Sequence, residues 1–211
     1  MSGNPQTPTY KKRIRKRKIR IFADSHGWGC SALIQGEVGD EWDVNESVAG
    51  GAPLAYVLDA VVESKNEGES VDQQEVEAIG KNDWLVVIGG TNNITADSLV
   101  KVEEKLVSIE EQWNSKTNIM IIETMHRYDD PTGSLNEMID QQNRLVERHC
   151  RENKWAYIKI NSVLKREDYS KGGLHLSKKG KRQLCQLISK RLDSTARHSF
   201  LGIGQTKDKV R

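Results

Sequence analysis

A serine, a glycine-rich segment and a histidine stand at three separate points of the chain where a chemical site could form. Ser25 lies in the segment 23–27 (Ala-Asp-Ser-His-Gly), directly after the apolar run at 19–22. The glycine-rich segment is 89–93 (Gly-Gly-Thr-Asn-Asn), and the histidine is His175. Together they could supply a nucleophile, N–H donors for an oxyanion and a general base, the parts of a covalent serine mechanism.

Those three points come together only if the chain folds as an open parallel sheet. Apolar and β-prone runs predict five strands, at 19–23, 42–48, 84–88, 119–122 and 155–160. Helical spacing of apolar residues predicts helices at 31–35, from Pro53, at 96–113, at 135–150 and at 177–192. This alternation predicts an α/β fold, a three-layer αβα sandwich with a five-stranded, mostly parallel sheet. Ligands bind at the carboxyl ends of such strands.

Composition indicates one globular domain. The 211 residues are 36% hydrophobic and 29% charged, and no apolar run is long enough to span a bilayer. The polar and basic start of the chain lacks the apolar region of a secretion signal, so we expect an intracellular protein, cytoplasmic or nuclear. Three scattered cysteines fit reduced thiols better than disulfides or a zinc site, and no histidine pair has metal-ligand spacing.

The charge is distributed unevenly along the chain. Residues 11–20 contain eight Lys or Arg and no acid, whereas residues 21–177 have a net formal charge of −14. We expect a disordered basic tail at 1–17, a domain at 18–195 and a second basic tail at 196–211. The block 11–18 could bind RNA or DNA or direct nuclear import, because clustered cations attract phosphates; it could equally be a solvated tail.

Four segments in order resemble the four sequence blocks of the SGNH (GDSL-type) hydrolases. They are 23–27, 50–52 (Gly-Gly-Ala), 90–93 and 173–177 (Gly-Leu-His-Leu-Ser). The resemblance spans about residues 18–195 and implies the flavodoxin-like fold of that superfamily. The sequences of segments 18–27, 125–129 and 168–181 most resemble those of SGNH-like domains in animal retroelement-related proteins, some of which are thought not to be hydrolases.

The resemblance assigns a role to each block. Ser25 would attack an ester carbonyl to form an acyl-enzyme, and His175 would be the base that takes its proton. The oxyanion would be held by the backbone N–H of Ser25, by a glycine N–H and by the Asn92 amide. Gly51 is the favoured glycine and Gly50 the alternative.

One departure from the family pattern bears on activity. The family usually has an aspartate three residues before the histidine, where this chain has Gly172. Loss of such a carboxylate from a serine triad costs on the order of 10⁴-fold. Asp168 or a main-chain carbonyl could substitute; otherwise the site is a Ser–His dyad. Ala23 and Asn93 are smaller departures that remove no catalytic atom.

Each signal also has a simpler interpretation. Ser25 could be a turn or helix-cap residue, and His175 a buried core histidine. His26 is a rival base, although adjacent residues at a turn usually point apart. Residues 126–130 (His-Arg-Tyr-Asp-Asp) follow the fourth strand and could form the rim of the site or a solvated loop.

Two functions therefore follow from the sequence. The first is a serine esterase that acts on a small acyl ester and needs no cofactor or metal ion. The second is a weak or inactive SGNH-like module that binds RNA or DNA through its basic ends.

Overall fold

Five parallel strands form one sheet at the centre of the protein. A computed structural model describes residues 15–64 and 79–201. The strands are β1 (Arg17–Ala23), β2 (Trp42–Val48), β3 (Trp84–Ile88), β4 (Asn118–Ile122) and β5 (Ala156–Ile158). Their order across the sheet is β2-β1-β3-β4-β5, and every neighbouring pair is parallel. The predicted strands are confirmed, and the sheet is fully rather than mostly parallel.

Helices cover both faces of the sheet. They are α1 (Cys30–Val38), α2 (Leu54–Glu63), α3 (Ala96–Trp113), α4 (Ser134–Glu152) and α5 (Lys178–Leu201). α1 and α5 pack on one face, and α2, α3 and α4 pack on the other. The predicted α/β fold, a three-layer αβα sandwich, is confirmed.

Two apolar cores hold the layers together. Successive side chains of a strand point to opposite faces, so Ile21 joins the core under α1 and α5 while Phe22 joins the other. All five residues of β3 are buried, as its continuous apolar run predicts for a central strand. Burying a large apolar side chain contributes about 1.5–3 kcal/mol, so these layers fix the strands that carry the loops.

Several element boundaries differ from those predicted: β1 begins two residues earlier, at Arg17, and α1 spans Cys30–Val38 rather than 31–35. α5 continues to Leu201 rather than ending at residue 192, because no glycine or proline interrupts the chain before Gly202. β5 ends at Ile158 rather than at residue 160, since β4 offers it no partner beyond Ile122.

The ends of the chain lie mostly outside the described residues. Of the predicted tails, residues 1–14 and 202–211 fall there, so the tail predictions stay predictions. Arg15 and Arg17 lie within the described part, where they form ion pairs with Asp83 and Glu41, each at 2.8 Å. Across residues 15–64 and 79–201, no helix combines the length and the apolar character that crossing a bilayer requires.

The sheet register brings two of the predicted site segments together. Ala23 of β1 lies opposite Ile88 of β3, and the Asp24 N–H donates to the Ile88 carbonyl at 3.0 Å. The serine segment and the glycine-rich segment therefore leave the sheet side by side at its carboxyl edge. The loop that carries His175 reaches the same edge between β5 and α5.

Candidate active site

A tight turn after β1 presents Ser25 at the sheet edge. Residues Ser25–Gly27 form a single 3-10 turn, which is capped by the buried Asp24 carboxylate accepting from the His26 N–H at 2.9 Å. A Cβ added at Gly27 would lie 2.1 Å from the Cβ of Ala23, so this turn closes only around glycine. The serine is left half-buried, with its hydroxyl directed across the edge.

The Ser25 hydroxyl contacts His175. Oγ of Ser25 lies 3.2 Å from Nε2 of His175, although 150 positions separate the two residues. This distance lies at the outer limit of the range for proton transfer between a nucleophile and its base. His175 itself is exposed. Its loop is closed by a bridge between Tyr169 and Leu176 and by the Ser170 N–H, which donates to the His175 carbonyl at 2.7 Å.

The glycine-rich segment packs closely against the serine turn. The Gly90 N–H donates to the Asp24 carboxylate at 3.0 Å. Gly89 and Gly90 have φ angles of 140° and 101°, and a Cβ on Gly89 would come within 2.6 Å of the Asp24 carboxyl carbon. Glycine is therefore required here for conformation and for space.

Asn92 lies beside the second glycine pair. Its side-chain Nδ2 donates to the Ala52 carbonyl at 3.4 Å, a long bond that leaves the amide weakly engaged. Gly51 has a φ of 76°, and nothing lies within 4 Å of a Cβ placed on it; the corresponding position on Gly50 is 3.4 Å from Cζ2 of Trp28. The structure thus brings the 50–52 turn beside Asn92, so that the two segments predicted to supply oxyanion donors are neighbours.

Asp168 has a partner other than His175. Its buried carboxylate accepts from Lys179 Nζ at 2.8 Å and from the Lys165 N–H at 3.0 Å. The hydrogen bond to Lys179 holds the pKa of Asp168 below its usual range. The expected orienting contact to His175 is replaced by these bonds.

The second ring nitrogen of His175 has no described partner. Gly172 is exposed, and within residues 15–64 and 79–201 Nδ1 of His175 donates no hydrogen bond to a carboxylate or a main-chain carbonyl. In this part of the chain the site is a Ser–His dyad.

His26 points away from the Ser25 hydroxyl. Its ring is 2% exposed, with Nδ1 at 3.0 Å from Asp24 Oδ1 and Nε2 at 3.1 Å from the Leu174 carbonyl. Both ring nitrogens are thus occupied, which argues against His26 as the base.

Residues 126–130 form hydrogen bonds to neighbouring segments of the site and are not a free, solvated loop. Arg127 donates to the Thr91 carbonyl at 3.2 Å and pairs through two nitrogens with Asp129, whose pKa that hydrogen bonding lowers. The Tyr128 N–H donates to the Gly173 carbonyl at 2.9 Å, while its side chain is 42% exposed. The loop therefore forms a rim that touches both the glycine-rich segment and the histidine loop.

Trp28 lies beside the candidate site but was not among the site residues predicted from the sequence. Its side chain is 59% exposed and lies against Gly50, immediately after the serine turn. The available signal was an aromatic residue between two glycines, next to the candidate nucleophile.

The described residues do not assemble a metal site. No group of three or more His, Cys, Asp or Glu side chains within them could hold an ion. The three cysteines are free thiols and are buried.

Solved structures of ester hydrolases share this fold. The chain is similar to a lipase/acylhydrolase from Enterococcus faecalis, with a TM-score of 0.65 and 16% identity, covering 85% of this chain and 96% of that chain. It is similar to an acetyl xylan esterase (TM-score 0.62, 15% identity, 81% of this chain and 97% of that chain). A carbohydrate acetylesterase from Sinorhizobium meliloti gives a TM-score of 0.62 at 12% identity, over 85% and 100% of the two chains. Neither a family model nor a curated protein matches the chain. At these identities the likeness concerns the fold, and the chain has the αβα fold of these ester hydrolases.

Proposed function

We propose that the protein is a serine ester hydrolase of the SGNH type, acting on small acyl esters. The observation that carries the proposal is the 3.2 Å contact between Ser25 Oγ and His175 Nε2 at the carboxyl edge of the sheet. The fold shared with solved esterases and acylhydrolases supports the reaction class. The finer resemblance to retroelement-related domains has no support from these structures and stays a prediction, as does the intracellular location.

The reaction begins with attack by Ser25. Its Oγ bonds to the ester carbonyl carbon while its proton passes to Nε2 of His175. The carbonyl oxygen becomes an oxyanion, which accepts from the N–H groups of Ser25 and Gly51 and from Nδ2 of Asn92. One such donor contributes about 3 kcal/mol to transition-state stabilisation.

Collapse of this intermediate breaks the bond to the leaving alcohol. The alkoxide takes the proton from the His175 imidazolium, and the acyl group stays on Ser25. Water then attacks the acyl-enzyme, His175 accepts a proton from that water and returns it to Ser25, and the carboxylic acid leaves.

Within residues 15–64 and 79–201 no carboxylate contacts His175, and this sets an expectation for the rate. In a serine triad the carboxylate orients the imidazole and stabilises its cation, and its loss costs about 10⁴-fold. We therefore expect slow turnover with a covalent step that is still detectable.

Hydrolysis of p-nitrophenyl acetate and labelling by a fluorophosphonate probe test this function together. We expect both in the full chain, and the loss of both in Ser25→Ala. Ser108→Ala is the matched control, because Ser108 lies on α3 and its hydroxyl donates to the Glu104 carbonyl of its own helix. An unlabelled wild-type protein, or equal labelling of Ser25→Ala, would contradict the proposal.

Nucleic-acid binding is the second candidate, and the eight cations at 11–20 favour it. Arg15 and Arg17 are already ion-paired within the domain and Lys18 is buried, so binding would depend mainly on residues 11–14, outside the described part, and on the exposed Lys16. Salt-sensitive binding of RNA by the full chain, lost on deletion of residues 1–14, would support this function. Absence of RNA binding by the full chain would contradict it, and binding that survives the deletion would contradict the role of residues 11–14.

A further inference from the structure

The buried His26 ring joins the serine turn to the histidine loop. Its Nδ1 lies 3.0 Å from the Asp24 carboxylate, and its Nε2 lies 3.1 Å from the main-chain carbonyl of Leu174, the residue before His175. The ring is 2% exposed and Asp24 is fully buried, so water does not compete for these contacts.

The chemistry of the Leu174 carbonyl fixes the direction of one of these bonds. A carbonyl oxygen can only accept a hydrogen bond, so this contact is a hydrogen bond when Nε2 of His26 carries a proton, and the contact with the Asp24 carboxylate requires a proton on Nδ1 in the same way. Asp24 holds the ring in this orientation, since its carboxylate also accepts from the His26 and Gly90 N–H groups, at 2.9 and 3.0 Å. A hydrogen-bonded chain therefore runs from the glycine-rich segment through Asp24 and His26 to the histidine loop.

We propose that His26 is a positioning residue for His175: its Nε2–H holds the Leu174 carbonyl, and thereby keeps the His175 ring within reach of Ser25. The ring centroids of the two histidines are 5.7 Å apart, so His26 also lies beside the base that it positions. The expected effect on kcat rests on the proposed esterase function, whereas the effect on the position of the histidine loop does not.

The position of His175 depends on hydrogen bonds to the main chain of its loop, such as the one from His26. His175 is exposed, and within residues 15–64 and 79–201 its Nδ1 has no hydrogen-bond partner, so support reaches its loop through the main chain. Misplacement of a catalytic group by 1 Å can cost about 10²-fold in rate. We expect loss of the His26 bond to lower kcat by about 10- to 100-fold with little change in KM.

Three variants of His26 separate the two ring nitrogens. The side-chain NH2 of Gln reaches the place of Nε2, and that of Asn reaches the place of Nδ1. His26→Gln should keep kcat and the rate of fluorophosphonate labelling within about threefold of wild type. His26→Asn and His26→Leu should both fall by 10- to 100-fold. His149→Gln is the control, because His149 is a largely buried histidine, 3.4 Å from Glu110, and packs against Trp155, directly before the start of β5.

Amide hydrogen exchange gives a second readout that needs no activity. The Ser170 and Tyr128 N–H groups donate to carbonyls of the histidine loop, at 2.7 and 2.9 Å. Both should exchange faster in the Asn and Leu variants than in wild type or His26→Gln. If wild-type Ser25 is not labelled, the proposed function fails and exchange alone decides the role of His26.

Three results would overturn the inference. Retention of activity in His26→Asn with loss in His26→Gln would mean that the ring acts through Asp24. Equal loss in all three variants, matched by His149→Gln, would mean a general effect on stability. No change in any variant, in labelling or in exchange, would mean that the Leu174 bond does not hold the loop.

Discussion

Replacing Gly172 by Asp should increase the proposed esterase activity of this protein. The substitution restores a carboxylate three residues before His175, the position that the family usually fills. Gly172 is exposed, its φ is outside the left-handed region, and a Cβ added there meets nothing within 4 Å. The backbone can therefore carry the new side chain without strain.

The size of the gain follows from the exposure of His175. A carboxylate 4 Å from an imidazolium stabilises it by about 4 kcal/mol at an effective dielectric of 20 and by about 1 kcal/mol in water. Because His175 is exposed, screening keeps the effect near the lower figure. We expect about 1–2 kcal/mol of transition-state stabilisation, which is a 5- to 30-fold increase in kcat.

The measurement compares Gly172→Asp with Gly172→Asn. The two side chains have nearly the same shape, so a difference in kcat for p-nitrophenyl acetate reports the charge alone. Asp should exceed both Asn and wild type, and the fluorophosphonate labelling rate should rise in parallel. Equal kcat in the two variants would refute the reasoning that the absent carboxylate limits this site.

Three further substitutions test the oxyanion segment and the support of the histidine loop. Asn92→Ala should lower kcat by about 10²- to 10³-fold, because it removes a side-chain donor to the oxyanion. Gly89→Ala should lower the free energy of unfolding by about 3 kcal/mol, since the added methyl clashes with Asp24 at a positive φ. Asp168→Asn should cost about 1–3 kcal/mol at neutral pH, measured by urea denaturation, because it weakens the bonds that the buried carboxylate accepts from the exposed Lys179 and from the Lys165 N–H. The folded-state pKa of Asp168 is lowered, so this contribution is complete above the unfolded pKa of about 4 and disappears as pH falls through the folded value.

Each of these predictions has a control or a contrary result. Asn93→Gly removes the neighbouring amide and keeps a backbone with a φ of 52°, so it should leave kcat nearly unchanged. Gly36→Ala should stabilise the protein, because Gly36 lies within α1 with open space around its Cα. An Asp168→Asn protein whose stability difference from wild type is the same at pH 2 and pH 7 would refute the assigned ion pair.

The sequence was sufficient to predict the fold and the meeting of the main site segments. A continuous apolar run followed by two glycines defines β3 and its end, and helical periodicity defines α3. Parallel strands align their carboxyl ends, so a residue after β1 and a segment after β3 had to emerge together. The contact of Ser25 with His175 was predicted from the order of the four segments that resemble the SGNH hydrolases. The residues next to either side chain do not predict it by themselves.

The partners of individual side chains could not be predicted in the same way. Asp168 stands seven residues before His175, a spacing consistent with an orienting carboxylate. The direction of its side chain is set by packing across the chain: a Cβ at Gly180 would lie 2.1 Å from the Asp168 carbonyl, so this segment sits directly on α5. That close approach leaves the carboxylate facing Lys179. Residue spacing contains no information on such an approach.

The role proposed for His26 explains how a dyad keeps its geometry without a third side chain from residues 15–64 and 79–201. A carboxylate in a serine triad both orients the imidazole and stabilises its charge. Here the orientation comes from the main chain, through the bond from His26 to the Leu174 carbonyl, while the exposed ring leaves charge stabilisation to solvent. The two tasks are thus separated in this protein. If this separation holds, Gly172→Asp should add activity to the wild-type protein, and the same substitution should recover only part of the loss in His26→Leu, because charge cannot replace position.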